Sequence, residues 1–423
     1  MPVVRADLAI NTRWILPMTA SGEVLENHSV LVRDGRILDV LPGPEAAQRY
    51  AATVSVDRSA HLALPGLVNA YTQIAPARGG ARRDDVARLR IAEMLKAGTT
   101  CFCAVGFFPE AAARTAAEQG MRALVGIPIA QAASPWASSP AEYLTRALRL
   151  RDEYRGHPTI ATVFAPHAPS SLADDALRRI ATLADELDAG ILMALHESPA
   201  AVEESVARHG VRPIERMHAL GLLTPALNAV HMLKVTAAEI ALAQRTGAAI
   251  TLCPEANFQA GNGPPPVAAW AATGLRLGLG SGADEPAGGL DLWSALKLLA
   301  LLSRMPGGGA GAPLGAWDAL AAATRGGAAV LGLDAEIGTL ERGKWADLCC
   351  VDLGSPAMQW GSQHAARDPV AALAQNGARD IVSDVWVCGR HLLNAGEFTR
   401  LDWPDLRARV NAWRGAPTLE DDL

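Results

Sequence analysis

Residues 64–73, LPGLVNAYTQ, decide the fold of this chain. A Pro-Gly pair followed by a short Leu-Val segment is typical of a loop that leads into a buried strand. Tyr71 and Gln73 lie two positions apart near the end of that strand. Because alternate residues of a strand share a face, we expect both side chains to point in the same direction.

The chain that follows alternates between amphipathic and short apolar segments. The amphipathic segments predict helices at 86–96, 109–119, 141–154 and 174–187. Ser170 or Ser171 is expected to cap the last of these helices. The apolar segments predict strands at 100–105, 122–127, 159–164, 191–195, 227–230, 248–251 and 275–279. This alternation predicts an α/β fold, a parallel (β/α)8 TIM-type barrel, whose chemistry lies at the carboxyl ends of the strands.

Composition limits the class of protein. The chain has 423 residues, of which 50% are hydrophobic and 19% charged, and this suits a barrel of about 250 residues with one further domain. A net charge of −6 gives no basic surface for nucleic acid, and no apolar run is long enough to span a membrane. The six cysteines form no paired CxxC motifs, and the N-terminus lacks a signal peptide pattern, so we expect a cytoplasmic protein.

Both ends of the chain are rich in short strand-like segments. Near the start, the sequence VLVRDGRILDVLP contains Asp34-Gly35, a strong hairpin turn signal. Near the end, residues 337–351 and 382–393 contain further apolar segments of strand length. The two ends therefore flank a middle section that has the size of a barrel.

These features together resemble the amidohydrolase superfamily, specifically its triazine hydrolase and S-adenosylhomocysteine/methylthioadenosine deaminase branch. In that branch the first barrel strand is PGLVNAHxH, and the resemblance extends from Asp7 to about Leu401. It implies a small β-sandwich domain built from residues 1–60 and 335–423, with the barrel spanning 61–334. It also implies metal-dependent hydrolysis of C–N bonds, with zinc or iron as the cofactor.

The resemblance assigns site residues one by one. His167 lies in APHAP, which is similar to the family's GPHAPYT, and His196-Glu197 lie in MALHES, which is similar to MHVHET. His231 lies in AVHM, matching the family's AVHMT. We therefore expect His167, His196, Glu197 and His231 to bind substrate. Glu197 and His231 are the expected catalytic residues, whether vestigial or repurposed.

The metal-ligand positions depart from the family pattern. Tyr71, Gln73, Ala194 and Gly282 stand where the family has three histidines and an aspartate. These residue types supply at most weak ligands, and a catalytic metal needs about three good ones. We therefore expect no metal ligand and no cofactor.

An alternative metal site at the same end of the barrel could be built from Asp284 or Glu285 together with His196 and His231. A second departure from the family pattern is the missing lid segment. Ile74 leads almost at once through an arginine-containing loop into the next helix. The barrel mouth is therefore predicted to be open.

Three functional hypotheses follow. The preferred one is a catalytically inactive homologue that acts as a ligand-binding, regulatory or subunit protein. The alternative is an active hydrolase or deaminase of a purine, a triazine or another N-heterocycle, with a rebuilt or metal-free site. The third is a purely structural oligomer. Expected partners are a small N-heterocyclic ligand and a second subunit, in a homodimer or with a catalytic homologue, and neither nucleic acid nor a membrane.

Overall fold

The computed structural model describes residues 3–19, 22–74, 80–166, 169–282, 289–305, 312–355, 358 and 368–414. The strands, numbered along the chain, are β1 (Val4–Ile15), β2 (Leu25–Arg33), β3 (Arg36–Pro42), β4 (Tyr50–Pro65), β5 (Leu67–Thr72), β6 (Thr99–Ala104), β7 (Arg122–Ile129), β8 (Ile160–Pro166), β9 (Ile191–Leu195), β10 (Leu227–His231), β11 (Ala249–Leu252), β12 (Leu277–Leu279), β13 (Leu348–Asp352), β14 (Val382–Val387), β15 (Arg390–Asn394) and β16 (Glu397–Phe398).

The α-helices are numbered in the same way. They are α1 (Gly43–Arg49), α2 (Gly80–Lys96), α3 (Pro109–Gln119), α4 (Pro140–Glu153), α5 (Asp174–Glu186), α6 (Pro199–His209), α7 (Pro213–Ala219), α8 (Ala237–Thr246), α9 (Pro254–Gln259), α10 (Val267–Ala271), α11 (Leu292–Leu302), α12 (Ala316–Ala323), α13 (Arg325–Val330), α14 (Pro369–Asn376) and α15 (Trp403–Arg414).

Strands β5 to β12 form one parallel sheet of eight strands in sequential order, with helices between consecutive strands. The first and last strands meet at a bridge between Thr72 and Gly282, and the Gly282 N–H donates to the Tyr71 carbonyl at 3.1 Å. This arrangement confirms the predicted (β/α)8 barrel. It also brings the carboxyl ends of all eight strands to one face.

The other eight strands form a second sheet in the order β16-β15-β14-β13-β4-β1-β2-β3. It combines strands from both ends of the chain, which confirms that the N- and C-terminal strands build a separate sheet as predicted. The β2–β3 hairpin turns at Asp34 and Gly35, whose φ angles of 53° and 75° match the predicted turn. Strand β4 belongs to this sheet and extends past residue 60 to Pro65.

The Pro-Gly pair of the opening stretch is the junction between the two sheets. Pro65 ends β4, and Leu67 begins β5 only two residues later. A Cβ placed on Gly66 would lie 2.1 Å from the Thr100 side chain, so only glycine allows the chain to pass this close to β6. The steric limit explains why this stretch has no larger residue between the sheets.

A buried ion pair joins the barrel to the second sheet. The Arg122 guanidinium, at the start of β7, donates to the Asp347 carboxylate at 2.6 and 3.3 Å. Asp347 also accepts from the Cys388 N–H at 2.7 Å, and its carbonyl accepts from the Gly66 N–H at 3.0 Å. The two sheets are therefore connected by charge as well as by apolar packing.

One local prediction is wrong. Helix α5 begins at Asp174 with Ala173 as its N-cap residue and no side-chain cap. Ser170 and Ser171 instead lie in a 3₁₀ turn, Pro169–Ser171, and this turn keeps them away from the helix end. In the part of the chain that the structure describes, no helix is long and apolar enough to cross a membrane.

Candidate functional site

Two adjacent strands bring the expected catalytic residues together. β9 pairs in parallel with β10, and Leu195 stands opposite His231 at their carboxyl ends. His196 and Glu197 follow Leu195 directly, so Glu197 lies next to His231 at the barrel mouth. Its carboxylate Oε1 is 3.9 Å from His231 Nε2. The side chain of Glu197 is 44% exposed and that of His231 only 7%, so the pair consists of an accessible acid beside a buried imidazole.

The Tyr71 side chain packs against the imidazole of His231. Its ring meets the His231 ring edge-on, with the centroids 5.6 Å apart and the ring planes at 78°. The aromatic contact restricts the imidazole and places an apolar surface beside it. A tyrosine at this position therefore supports the orientation of His231.

The other ring nitrogen of His231 contacts a residue that the sequence analysis did not single out. His231 Nδ1 lies 2.8 Å from Asn257 Oδ1 in α9, and Asn257 is almost completely buried. His231 and Met232 have φ angles of 74° and 48°, so the backbone adopts a left-handed conformation where the imidazole turns toward Asn257. Residues held in such conformations are concentrated at functional sites.

His196 has a different environment. Its Nδ1 donates to the Lys234 carbonyl at 3.0 Å, its Nε2 accepts from the Ile214 N–H at 3.1 Å, and Glu239 lies 3.4 Å from Nε2. Both ring nitrogens are therefore engaged by protein groups. The histidine links β9 to α7 and α8 below the mouth, and burial lowers its pKa below the ordinary 6.5 against the opposing effect of Glu239.

His196 makes stability depend on pH. Burial holds its pKa below 6.5 in the folded state, so on acidification the unfolded chain takes up this proton first. The free energy of unfolding should be intact above about pH 6.5 and fall as pH drops from there toward the folded pKa. Protonation would also remove the acceptor of the Ile214 N–H. Urea denaturation at about pH 7.5 and about pH 5.5 measures the loss of unfolding free energy. His61 contributes to this loss, because burial also lowers its pKa.

The His196→Gln variant should show a smaller loss of stability between these two pH values than the wild-type chain. His218→Gln, at an exposed position of α7, is the matched control and should keep the wild-type loss. Equal losses in wild type and His196→Gln would contradict this assignment.

The polar side chains between the first and last barrel strands form a closed network. Asn69 Nδ2 donates to Ser281 Oγ at 2.9 Å, and the Ser281 N–H donates to Asn69 Oδ1 at 3.0 Å. Ser281 Oγ in turn donates to Thr72 Oγ1 at 3.1 Å. These hydrogen bonds hold β5 against the end of β12, beside Tyr71 and Gly282.

Gly282 could not be replaced by the family's aspartate in this backbone. Its φ is +87°, and a Cβ at this position would lie 2.2 Å from the Ala256 Cβ. We expect Gly282→Ala to lower the free energy of unfolding by about 1–3 kcal/mol, because the new methyl group overpacks the contact with α9. Chemical denaturation measures the change. Gly210→Ala is the matched control, since Gly210 has a φ of +73° but no heavy atom within 4 Å. A cost no larger than that of the control would contradict the steric explanation.

The residues at the mouth do not fit the family's metal. Tyr71, Gln73, Ala194 and Gly282 provide one phenol, one amide and no imidazole or carboxylate. Among the residues that the structure describes, no group of three or more His, Cys, Asp or Glu side chains is placed to hold a metal ion. The donor set at these four positions and among the other described residues therefore lacks the three nitrogen or oxygen ligands that zinc or iron needs.

Several predicted site residues lie outside the described residues. They are His167, Asp284 and Glu285, and the arginine-containing loop after Ile74 also lies outside the described residues, at 75–79. Helix α2 begins at Gly80, and in it the Arg83 guanidinium lies 3.5 Å from the centroid of the Phe108 ring, a residue of the loop after β6. This cation–π contact ties α2 to the neighbouring loop at the mouth.

A cleft of about 740 Å³ lies at the opposite end of the barrel. Arg276 and Arg325 line it, but they donate to backbone carbonyls, Arg325 to that of Thr19 at 2.8 Å. The cations of this cleft are therefore used within the protein, and the chemistry is assigned to the mouth.

Sequence comparisons find relatives along nearly the whole chain. The sequence profile of the Amidohydrolase family matches residues 62–392. The 5-methylthioadenosine/S-adenosylhomocysteine deaminase of Teredinibacter turnerae is 34% identical over 96% of this chain and 97% of its own length. The enzyme of the same name from Saccharophagus degradans is 33% identical over 97% of this chain and 96% of its own length.

Solved structures are also similar to this chain over nearly its whole length. An adenosine deaminase from Xanthomonas campestris with bound zinc superposes with a TM-score of 0.93 at 35% identity, covering 98% of this chain and 99% of that chain. Atrazine chlorohydrolase from Arthrobacter aurescens, complexed with zinc, has a TM-score of 0.85 at 20% identity, covering 96% and 99%, and shows the shared fold.

The preferred prediction of a catalytically inactive homologue is wrong on these findings. Relatives with 33–34% identity over nearly the whole chain are named as deaminases, and the 35% identical structure is a deaminase with bound zinc. The prediction treated four replaced ligand positions as loss of catalysis, although the Glu197–His231 pair is present at the mouth. The comparisons support the alternative prediction of an active hydrolase.

Proposed function

Because this chain belongs to the amidohydrolase family, we propose that it is an active hydrolase of C–N bonds that removes an exocyclic amino group from an N-heterocycle. The adenine ring of a nucleoside is the first candidate, since the relatives at 33–35% identity are named as deaminases of adenosine or of its thioether derivatives. Other purines and triazines are the further candidates.

The observation that carries this proposal is the Glu197–His231 pair. An exposed carboxylate and a buried imidazole, 3.9 Å apart, stand at the carboxyl ends of neighbouring parallel strands, where barrel enzymes hold their catalytic groups. Both side chain types can move a proton near neutral pH when they are suitably placed. The gap between them is too long for a direct hydrogen bond and leaves a position for a water molecule or a substrate group.

The reaction needs only the transfer of protons and the addition of water. Glu197 accepts a proton from the attacking water while the water oxygen bonds to the ring carbon that carries the amino group. The carboxylic acid formed in this way returns the proton to the amino nitrogen. The electron pair of the ring C=N bond moves onto the ring nitrogen during the addition, and this nitrogen takes up the proton of the new hydroxyl group. The exocyclic C–N bond then breaks with its electron pair on the amino nitrogen, so ammonia leaves and the ring carbon keeps an oxo group. His231 Nε2 accepts a hydrogen bond from the water or the amino group and holds it beside Glu197.

No step is assigned to a metal, because the described residues at the mouth do not fit one. Positioned acid–base groups typically contribute about 10²- to 10⁴-fold to a rate. A metal-bound water in the family would add to this by ionising near neutral pH. We therefore expect slow turnover by this chain compared with its zinc-bound relatives.

Ammonia release from a substrate panel tests the proposal. The panel comprises adenosine, 5-methylthioadenosine, S-adenosylhomocysteine, guanine and melamine, a triazine with free amino groups, and the same protein is assayed for bound zinc and iron. Turnover of an adenine nucleoside that is absent in the Glu197→Gln/His231→Ala double variant is the expected result. A folded wild-type protein that releases no ammonia from any member would overturn the proposal.

A further inference from the structure

Asn257 is the one polar side chain that contacts the buried ring nitrogen of His231 in the described part of the site. Its amide lies at 1% exposure in α9, and its backbone is fixed on both sides, since the Asn257 N–H donates to the Cys253 carbonyl and its carbonyl accepts from the Asn262 N–H. The side chain therefore approaches His231 Nδ1 from a rigid position. The distance of 2.8 Å is that of a good hydrogen bond.

The direction of this hydrogen bond decides the chemistry of the other ring nitrogen. A neutral imidazole carries one N–H, and the partner of one nitrogen determines which nitrogen is protonated. With Asn257 Oδ1 as acceptor, the proton lies on Nδ1 and Nε2 keeps a free lone pair. If the amide were turned, Nδ2 would donate to Nδ1, and Nε2 would carry the proton.

The distance to Glu197 separates these two cases. An Nε2–H next to a carboxylate would form a short charge-assisted hydrogen bond, typically about 2.7–2.9 Å. The observed separation between Nε2 and Oε1 is 3.9 Å. Two acceptors that face each other keep this kind of distance and share a donor placed between them. The geometry therefore favours a lone pair on Nε2.

We propose that Asn257 is a positioning residue that fixes His231 in the tautomer with a protonated Nδ1, so that His231 Nε2 and Glu197 present two acceptors to one donor group. Water and an amino group each have two hydrogens to offer to such a pair. An oxo group has none. The pair would thus hold the attacking water or the substrate amine and would not hold the oxo product. This role rests on the proposed function, whereas the tautomer does not.

Nitrogen NMR of the full chain with ¹⁵N-labelled histidine tests the tautomer without any need for turnover. The His231 signals are assigned by their loss in His231→Gln. In wild type we expect a protonated Nδ1 and an unprotonated Nε2. Asn257→Leu should lose this single tautomer, and Asn257→Asp, which can only accept at neutral pH, should keep it.

Asn228→Leu is the matched control. Asn228 is 4% exposed in β10, accepts one hydrogen bond from Thr251 at 2.8 Å and, like Asn257, has no partner for its Nδ2 among the described residues. This variant should keep the wild-type tautomer, because it removes a buried amide without touching His231.

An Nε2–H tautomer in wild type, or an unchanged tautomer in Asn257→Leu, would overturn the inference. If Asn257→Leu does not fold, the wild-type spectrum and Asn257→Asp still decide the question. Failure of the ammonia assay with the expected spectrum would remove the proposed function alone. Where turnover is present, Asn257→Leu should lower kcat about 10-fold or more, with Asn257→Asp restoring most of it.

Discussion

Replacement of Glu197 by glutamine is expected to lower kcat about 10²- to 10⁴-fold, the range typical for loss of a general acid–base group. The amide has the shape of the carboxylate but cannot accept a proton from water. The side chain is 44% exposed and lies at the mouth rather than in the core, so the fold should be retained. Initial rates of ammonia release on the best substrate of the panel measure the effect.

Glu204→Gln is the matched control for this variant. Glu204 lies in α6, directly after the Glu197 loop, and its side chain is 40% exposed in an ion pair with Arg208. Removing its charge should leave kcat within about twofold of wild type, since surface ion pairs contribute little. A Glu197→Gln protein with the same kcat as this control would show that Glu197 does not move the proton.

Asp347→Ala is expected to lower the free energy of unfolding by about 3–5 kcal/mol, the cost of leaving a buried partner charge without compensation. Arg122 and Asp347 have side-chain exposures of only 6% and 1%. Burial acts to lower the pKa of Arg122, but the charge of Asp347 and its hydrogen bond outweigh this effect, so the pKa is raised and the guanidinium stays charged. Urea denaturation of the full chain gives the change.

A double variant without charges separates the ion pair from the packing around it. Arg122→Met/Asp347→Leu replaces both charges by apolar side chains, and it should cost less than Asp347→Ala alone, because no buried charge is left unpaired. A single-variant cost below about 1 kcal/mol would show that the barrel and the second sheet are held together without this pair.

The predictive power of the sequence differed between elements for physical reasons. The helix at 109–119 and the strand at 191–195 were predicted with the bounds that the structure has, because Pro109, Gly120 and the apolar run at 191–195 are strong local signals. The cap of α5 was wrong, because a 3₁₀ turn took up both serines. Local sequence signals could not predict the bounds of β4 either, because its length depends on pairing with β1 and β13.

The site residues also divide into those that the sequence predicted and those that it did not. The resemblance picked out Glu197 and His231, and the structure places them 3.9 Å apart. It also picked out His196, whose ring nitrogens are occupied by Lys234 and Ile214. Asn257 was missed because its contact with His231 spans 26 positions of sequence and depends on how α9 packs beside β10. The inactive-homologue prediction was wrong because replaced side chains at four positions were given more weight than likeness along the whole chain.

The sequence by itself determined the alternation of strands and helices and the turn at Asp34-Gly35, because these depend on residues near one another in the chain. Only the tertiary structure decided which histidine faces Glu197, which residue contacts the Nδ1 atom of that histidine, and why position 282 must be glycine. Each of these is a distance between side chains on different elements. Such distances are set by the packing of the whole barrel, which no local pattern of residues encodes.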